Sequence, residues 1–380
     1  MIPSDRNKPH PFRPLGLLIL SVTAAAVALW LVRLPGDSRR ARLAQVEHWT
    51  YQLQDFAAAM GRVTRSDSDM LVIDYAVDSG DGLKPLTRAK VDKLKRKPDG
   101  DRRLVIAYFS IGEAEEYRPY WHAAWRDAPP DWIVAENCRW PKNYLVKFWD
   151  SGWRDIVFEG AHSYLEAIQD AGFDGVYLDR VDVYADIADR FPKSRQRMIS
   201  FVKDLASSAR ARDPGFLVIV QNAEELLDDA TYRAAIDGVA KEDLLYGVTD
   251  TGKRNPKSMV TETTRLLDTL KEDGKPVFAV EYLTSADAIA QAKSELEDLD
   301  YVGVFPSRAL DGSDPAKVHA SSSAAAEREE AEEPDTGTPE YAAANCDGVW
   351  KRAQEPKREA EALSARVPSG ARVPPAAAAK

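Results

Sequence analysis

Eight short apolar segments, rich in β-branched and aromatic residues, recur through the middle of this 380-residue chain at intervals that leave room for a helix. They occupy 50–53, 70–74, 104–109, 175–179, 217–222, 238–242, 277–282 and 301–306. Strands covered on both faces read as continuous apolar runs, and parallel neighbours need a crossover of a dozen or more residues. Helical patterns at 153–171, 194–212 and 258–273 fill three of those crossovers. Eight βα units in about 250 residues is the count of a (β/α)8 barrel, in which catalytic groups sit at the C-terminal strand ends. An open doubly wound sheet is the alternative. It would normally show a glycine-rich phosphate loop after its first strand, and neither GxGxxG nor GxxxxGK[ST] occurs.

Outside this pattern the chain changes character. Residues 15–34, LGLLILSVTAAAVALWLVRL, follow Arg6, Lys8 and Arg13, which makes 1–46 an export segment with a basic linker. The apolar run is about long enough for one bilayer crossing. Ala26-Val27-Ala28 equally offers a small-x-small cleavage site, so signal anchor and cleaved signal both stand. Either way the expected location is periplasmic or extracellular, with membrane contact only through this segment. From residue 311 onward Ala, Glu, Pro and Ser dominate and little remains to bury, which predicts a disordered tail over 311–380. The net charge of -10 resolves into -11 on 47–310, where 35 basic residues meet 46 acidic ones. An acidic barrel is a poor partner for nucleic acid, which needs a basic field. A monomeric barrel is expected.

The gap between 109 and 175 is longer than one helix requires and holds six of the nine tryptophans: Trp121, Trp125, Trp132, Trp140, Trp149 and Trp153. It predicts a long loop after the third strand, with 144–150 as a short strand outside the barrel. Aromatic faces suit the C–H faces of sugar rings. The same tryptophans could instead fill a small subdomain, with a minority lining a cleft.

Polar residues close the strands: Gln54 and Asp55, Asp74, Ser110 with Glu113, Asp179 with Asp182, Gln221 and Asn222, Glu242, then Glu281 and Tyr282. A rim this rich in acids fits glycoside hydrolysis, which needs one carboxyl protonated and another ionised. It could alternatively hold a hard cation such as magnesium. The five histidines, His10, His48, His122, His162 and His319, never fall at HxxH or HxxxH spacing, so no histidine metal site and no cofactor is expected. No GxSxG elbow supports an esterase. Cys138 and Cys346 are compatible with one disulfide or with two free thiols.

The segments WTYQLQD, VIDYA, VIAYFSIGEAEEYRPYW, FWDSGW, GFDGVYLDRVDVY, VIVQNAEELL and DGVAKEDLLYG, taken in order over about 47–307, resemble glycoside hydrolase family 114, the endo-α-1,4-polygalactosaminidases. The resemblance implies a (β/α)8 barrel that cuts galactosamine-containing polysaccharide. It also implies a catalytic pair at Asp179 and Glu242, with Lys241 standing where the family is usually apolar. Asp179 closes the fourth strand and Glu242 the sixth, so the two should face each other across the mouth. We assign Asp179 as nucleophile and Glu242 as general acid/base, because the longer side chain suits the group that must reach the leaving oxygen. Asp74, Tyr108, Glu113, Asp182, Asn222 and Glu281 are expected to wall the sugar site, their acidity matched to an ammonium-bearing sugar. Two other classes remain open: an inert barrel that binds polysaccharide, and a metal-dependent sugar deacetylase or phosphodiesterase.

Overall fold

The computed structural model describes residues 35–78 and 82–313. Eight strands lie parallel and in chain order: β1 (Trp49–Gln52), β2 (Met70–Asp74), β3 (Leu104–Ser110), β4 (Gly175–Asp179), β5 (Leu217–Gln221), β6 (Gly238–Glu242), β7 (Val277–Val280) and β8 (Val302–Val304). Each coincides with one apolar segment of the sequence. The principal helices after β1 to β7 are α2 (Phe56–Thr64), α3 (Arg88–Leu94), α4 (Tyr164–Asp170), α5 (Ser194–Arg212), α6 (Ala230–Ala235), α7 (Lys257–Glu272) and α8 (Ala286–Asp298), with α1 (Pro35–Leu43) ahead of β1. The architecture is a (β/α)8 barrel.

Alternation along the strands divides the core into two shells. Trp49, Tyr51, Met70, Val72, Leu104, Ile106, Tyr108, Tyr177, Leu217, Ile219, Ala240, Phe278 and Val280 fill the interior. The residues between them, such as Leu71, Val105, Ala107, Val176, Val218, Val239 and Ala279, pack outward against the helices. Both faces are dry, which is why the strands read as unbroken apolar runs.

The seam between β1 and β8 closes through side chain and loop. Trp49 Nε1 donates to the Val302 carbonyl at 3.1 Å, and the Leu53 and Gln54 amides both donate to the Leu310 carbonyl at 2.9 Å.

At the N-terminal end of the barrel the structure revises the expected boundary at residue 47. Helix α1 is polar in sequence, yet Leu43 and then Val46 enter the interior cluster and plug the floor. Arg39 reaches Asp174 at 3.1 Å and Asp213 at 2.6 Å, while Arg40 reaches Asp237 at 2.7 Å. Asp174 and Asp237 immediately precede β4 and β6. Lys95 joins Asp174 at 2.8 Å and Arg210 joins Asp237 at 2.7 Å. Each acid also accepts a backbone amide of a neighbouring strand, from Val105 at 3.1 Å and Val218 at 2.8 Å. The folded unit therefore includes α1.

The long insertion after β3 is a small domain rather than a loop. Glu113–Glu115, Asn143–Val146 and Ile133–Glu136 form a three-stranded antiparallel sheet with Asn143–Val146 in the centre. Trp121, Trp125, Trp132 and Trp153 pack successively, with ring centroids 5.2, 5.1 and 5.1 Å apart. Trp153 is fully buried and donates to the Ile111 carbonyl at 2.9 Å. The expected helix over 153–171 is broken. A π-turn at Asp155–Glu159 gives way at Gly160, and α4 restarts after Ser163, whose hydroxyl caps the Glu166 amide. Residues 15–34, the tail beyond 313 and Cys346 lie outside the described residues. Among the described residues no helix is long and apolar enough to cross a membrane.

Candidate active site

Inward parity at the C-terminal ends of β4 and β6 places Asp179 and Glu242 in the barrel mouth, with β5 between them. Asp179 Oδ2 accepts the Tyr108 hydroxyl at 2.5 Å, and Oδ1 accepts the Arg180 amide at 2.7 Å. Glu242 Oε1 accepts the Tyr282 hydroxyl in a short hydrogen bond, and Oε2 accepts Asn222 Nδ2 at 3.3 Å. Asn222 also takes the Glu242 amide on its Oδ1 at 3.0 Å, so one amide side chain clamps both ends of the residue. Gln221 adds a side-chain hydrogen bond to Glu242 and accepts the Tyr51 hydroxyl at 3.3 Å.

Both carboxyls are thus hydrogen-bonded by neutral donors inside a largely buried site. Burial, followed by the charge of Glu242, pushes Asp179 up to about 7. Burial likewise raises Glu242, against the opposing hydrogen bonds of Tyr282, Asn222 and Gln221. The charge of Glu242 thus opposes ionisation of Asp179, and two carboxyls coupled in a poorly solvated space give up their protons in separate steps. That proton inventory is what a two-carboxylate hydrolase needs.

The phenols that serve this pair form a layer beneath it. Tyr51, Tyr108, Tyr177 and Tyr282 are all buried and inward, and burial keeps their hydroxyls protonated donors. The Tyr177 hydroxyl has no hydrogen-bond partner among the described residues. Immediately after the strand ends the backbone turns left-handed, at Arg180 (φ 59°), Asn222 (φ 56°), Ala223 (φ 58°) and Asp243 (φ 52°). Non-glycine residues pay about 1–2 kcal/mol for this conformation. Here it aims the Arg180 amide at Asp179 and seats Asn222 against Glu242. Gly112 is required beside this turn, since a Cβ there would lie 2.2 Å from the Arg180 carbonyl oxygen.

The remaining expected wall residues are distributed differently from the sequence reading. Asp74 is inward at the end of β2, but its Oδ1 accepts Arg118 at 2.8 Å and the Ala76 amide at 2.9 Å. Glu113 Oε1 accepts Arg180 Nε and Asn137 Nδ2, both at 2.7 Å. Asp182 receives a second arm of Arg180 at 3.1 Å, and Asp186 the third at 2.6 Å. These acids pair with Arg118 and Arg180, which offsets part of their charge. Glu281 faces away from the mouth, fully buried, where it accepts the Leu245 and Tyr246 amides at 2.7 and 3.2 Å. Burial pushes it up to about 8, and its work is to pin the loop after β6. The group that faces Glu242 from β7 is its neighbour Tyr282. Parity through Phe278 and Val280 was the sequence clue. Arg308 was also missed. Its guanidinium stacks 4.2 Å from the Tyr282 ring centroid and donates to Asp243 at 3.0 Å. Lys241 is no disturbance to the interior, because it points outward to Glu224 at 3.3 Å. Among the described residues, no group of three or more His, Cys, Asp or Glu side chains is arranged to hold a metal ion.

A (β/α)8 barrel with a half-buried carboxyl pair at the ends of β4 and β6 is an arrangement suited to glycoside hydrolysis. The particular family follows from comparison: the model of glycoside-hydrolase family GH114 matches residues 34–320, and the chain belongs to that family. Similar proteins include an uncharacterized protein of Deinococcus radiodurans, 33% identical over 271 residues, covering 71% of this chain and 82% of the relative. Another is the uncharacterized protein MJ1477 of Methanocaldococcus jannaschii, 34% identical over 257 residues, covering 66% and 70%. Among solved structures, the glycoside hydrolase domain of PelA from Pseudomonas aeruginosa superposes with a TM-score of 0.53 at 18% identity, covering 70% of this chain and 96% of that domain. That likeness is one of fold.

Proposed function

We propose that this enzyme is an exported endo-acting hydrolase of α-1,4 linkages in galactosamine-containing polysaccharide, with Asp179 and Glu242 as its catalytic pair. The observation that carries the reading is a pair of half-buried carboxyls, each hydrogen-bonded by neutral donors, on strands β4 and β6 of a barrel in this family. Asp179 attacks the anomeric carbon as the glycosidic C–O bond breaks, and Glu242 gives its proton to the departing oxygen. Water then attacks the same carbon, Glu242 takes the water's proton, and Asp179 leaves.

The charge on Glu242 favours keeping the proton on Asp179. An ammonium at C2 of the reacting sugar would sit beside the nucleophile and draw the negative charge onto Asp179, moving the proton to the general acid. Arg118 and Arg180 offset part of the charge of the acidic wall, and this preference acts on the pair directly rather than through that wall. The substrate's own charge sets the pair.

The test is incubation of the protein with partly deacetylated galactosaminogalactan, followed by mass spectrometry of the released oligosaccharides. A series of internal-cleavage products is expected, with kcat/KM falling above about pH 7 as the pair loses its remaining proton. A fluorinated galactosaminyl donor should leave a covalent adduct on the peptide that contains Asp179. An adduct at Glu242 would exchange the roles. Polymer binding without any product would replace the enzyme reading by that of an inert binding barrel.

A further inference from the structure

Among the described residues, two aromatic side chains stand out as exposed, Tyr117 at 50% and Trp140 at 57%. Both lie at the same end of the insertion sheet. The Glu116 amide, next to Tyr117, donates to the Lys142 carbonyl at 3.0 Å, and Asn143 closes the Trp140 turn at 3.1 Å. The other insertion tryptophans are buried or packed against partners, so exposure here is confined to one edge.

That edge is built rather than left over. The Tyr117 hydroxyl is held by Glu115, and the Arg118 guanidinium lies 4.9 Å from its ring centroid. Glu115 and Arg118 are themselves buried and bonded to each other at 2.6 Å. Trp140 stands on a turn whose Asn137 takes the Trp140 amide at 3.4 Å and grips Glu113 at 2.7 Å. Both supports run to the catalytic centre. Arg118 binds Asp74, whose register partner Tyr108 binds Asp179, and Glu113 binds Arg180, whose amide also binds Asp179.

We propose that Tyr117 and Trp140 form an aromatic platform at the rim of the mouth on which sugar units flanking the cleavage site stack through their C–H faces. The inference rests on the function proposed above and adds a specificity determinant to it. With a cation under one face, Tyr117 offers a free face better matched to apolar C–H groups than to an ammonium. An exposed ring fixed by buried ionic groups is pre-organised, so little ordering is lost when a sugar docks.

The test measures kcat/KM against α-1,4-galactosamine oligosaccharides of increasing length. Tyr117→Ala and Trp140→Ala should each lose about tenfold on the long chains and stay within about twofold of wild type on the shortest cleaved one. Tyr117→Phe, which keeps the ring and loses only its bond to Glu115, should retain most of the long-chain advantage that the alanine variant loses. Tyr117→Leu, which keeps apolar bulk without a ring, should follow the alanine variant and serves if that variant melts early. Losses equal at every length, or none, would overturn the platform. Affinity electrophoresis in gels containing partly deacetylated galactosaminogalactan needs no turnover. Retardation of the wild type that both alanine variants lose supports the platform even if no product ever forms. In that case only the hydrolase reading fails, whereas an unretarded wild type overturns the platform itself.

Discussion

Strands β4 and β6 each carry an acid at both ends, and the two ends treat it in opposite ways. At the floor, Asp174 is joined by Arg39 and Lys95, and Asp237 by Arg40 and Arg210. Five residues further along each strand, Asp179 and Glu242 receive phenols and amides instead. The floor surrounds buried charge with countercharge and backbone amides, which fixes it as charge. The mouth withholds countercharge and so leaves protonation open. The same residue type becomes a staple at one end and a titrating group at the other because of its partners.

The sharpest way to break this contrast is to neutralise one acid at each end of a strand. Asp179→Asn and Glu242→Gln should each lower kcat at least about 10³-fold. Asp174→Asn should leave kcat near wild type while costing about 3–5 kcal/mol of stability, because it strands buried Lys95 and Arg39. Asp179→Asn should do the reverse to the fold. A carboxyl whose pKa is raised from 3.8 to about 7 by folding contributes stability fully below pH 3.8, and loses it as pH rises through 7. The asparagine variant should therefore match wild type in acid and exceed it above pH 7 by up to about 4 kcal/mol, at about 1.4 kcal/mol per unit. Chemical denaturation at pH 4 and pH 8 would decide, and a destabilised variant at pH 8 would remove the mouth from the comparison.

A middle-sized effect is expected from the phenols. Tyr108 and Tyr282 hydrogen-bond the ionised forms of Asp179 and Glu242, so removing either hydroxyl should raise its carboxyl further. Tyr108→Phe and Tyr282→Phe should each move the alkaline limb of the kcat/KM profile upward and cost about 10–100-fold at the optimum. The smallest effect belongs to Lys241→Ala. Its ion pair with Glu224 lies outside the barrel wall, so an unchanged KM is expected, with a loss confined to stability of about 1–3 kcal/mol because Glu224 is buried.

The barrel was legible because two-sided burial writes each strand into the sequence as an apolar run, and because strand ends coincide with the polar residue that closes each run. Asp179 and Glu242 were legible on those grounds only as two acids of a larger strand-end ring, and it was the resemblance to family 114 that singled out the pair. Glu281 was misread for lack of parity: one position decides between mouth and outer wall, and burial gave the acid to the loop and Tyr282 to the site. Asp74, Glu113 and Asp182 looked like a free acidic wall because their partners, Arg118 and Arg180, reach them only through tertiary folding. The insertion showed one of its strands, near 144–150, and hid the sheet around it, because strands of three or four residues carry too short a period to register. Helix α1 was hidden by its polar composition, since its arginines find their partners in Asp174, Asp213 and Asp237, which only the folded floor brings to them.

Because α1 packs against the floor, the first described residues sit on the face opposite the mouth. A support attached through them in an immobilised-enzyme experiment would hold the molecule by its base, with the opening turned away from the support.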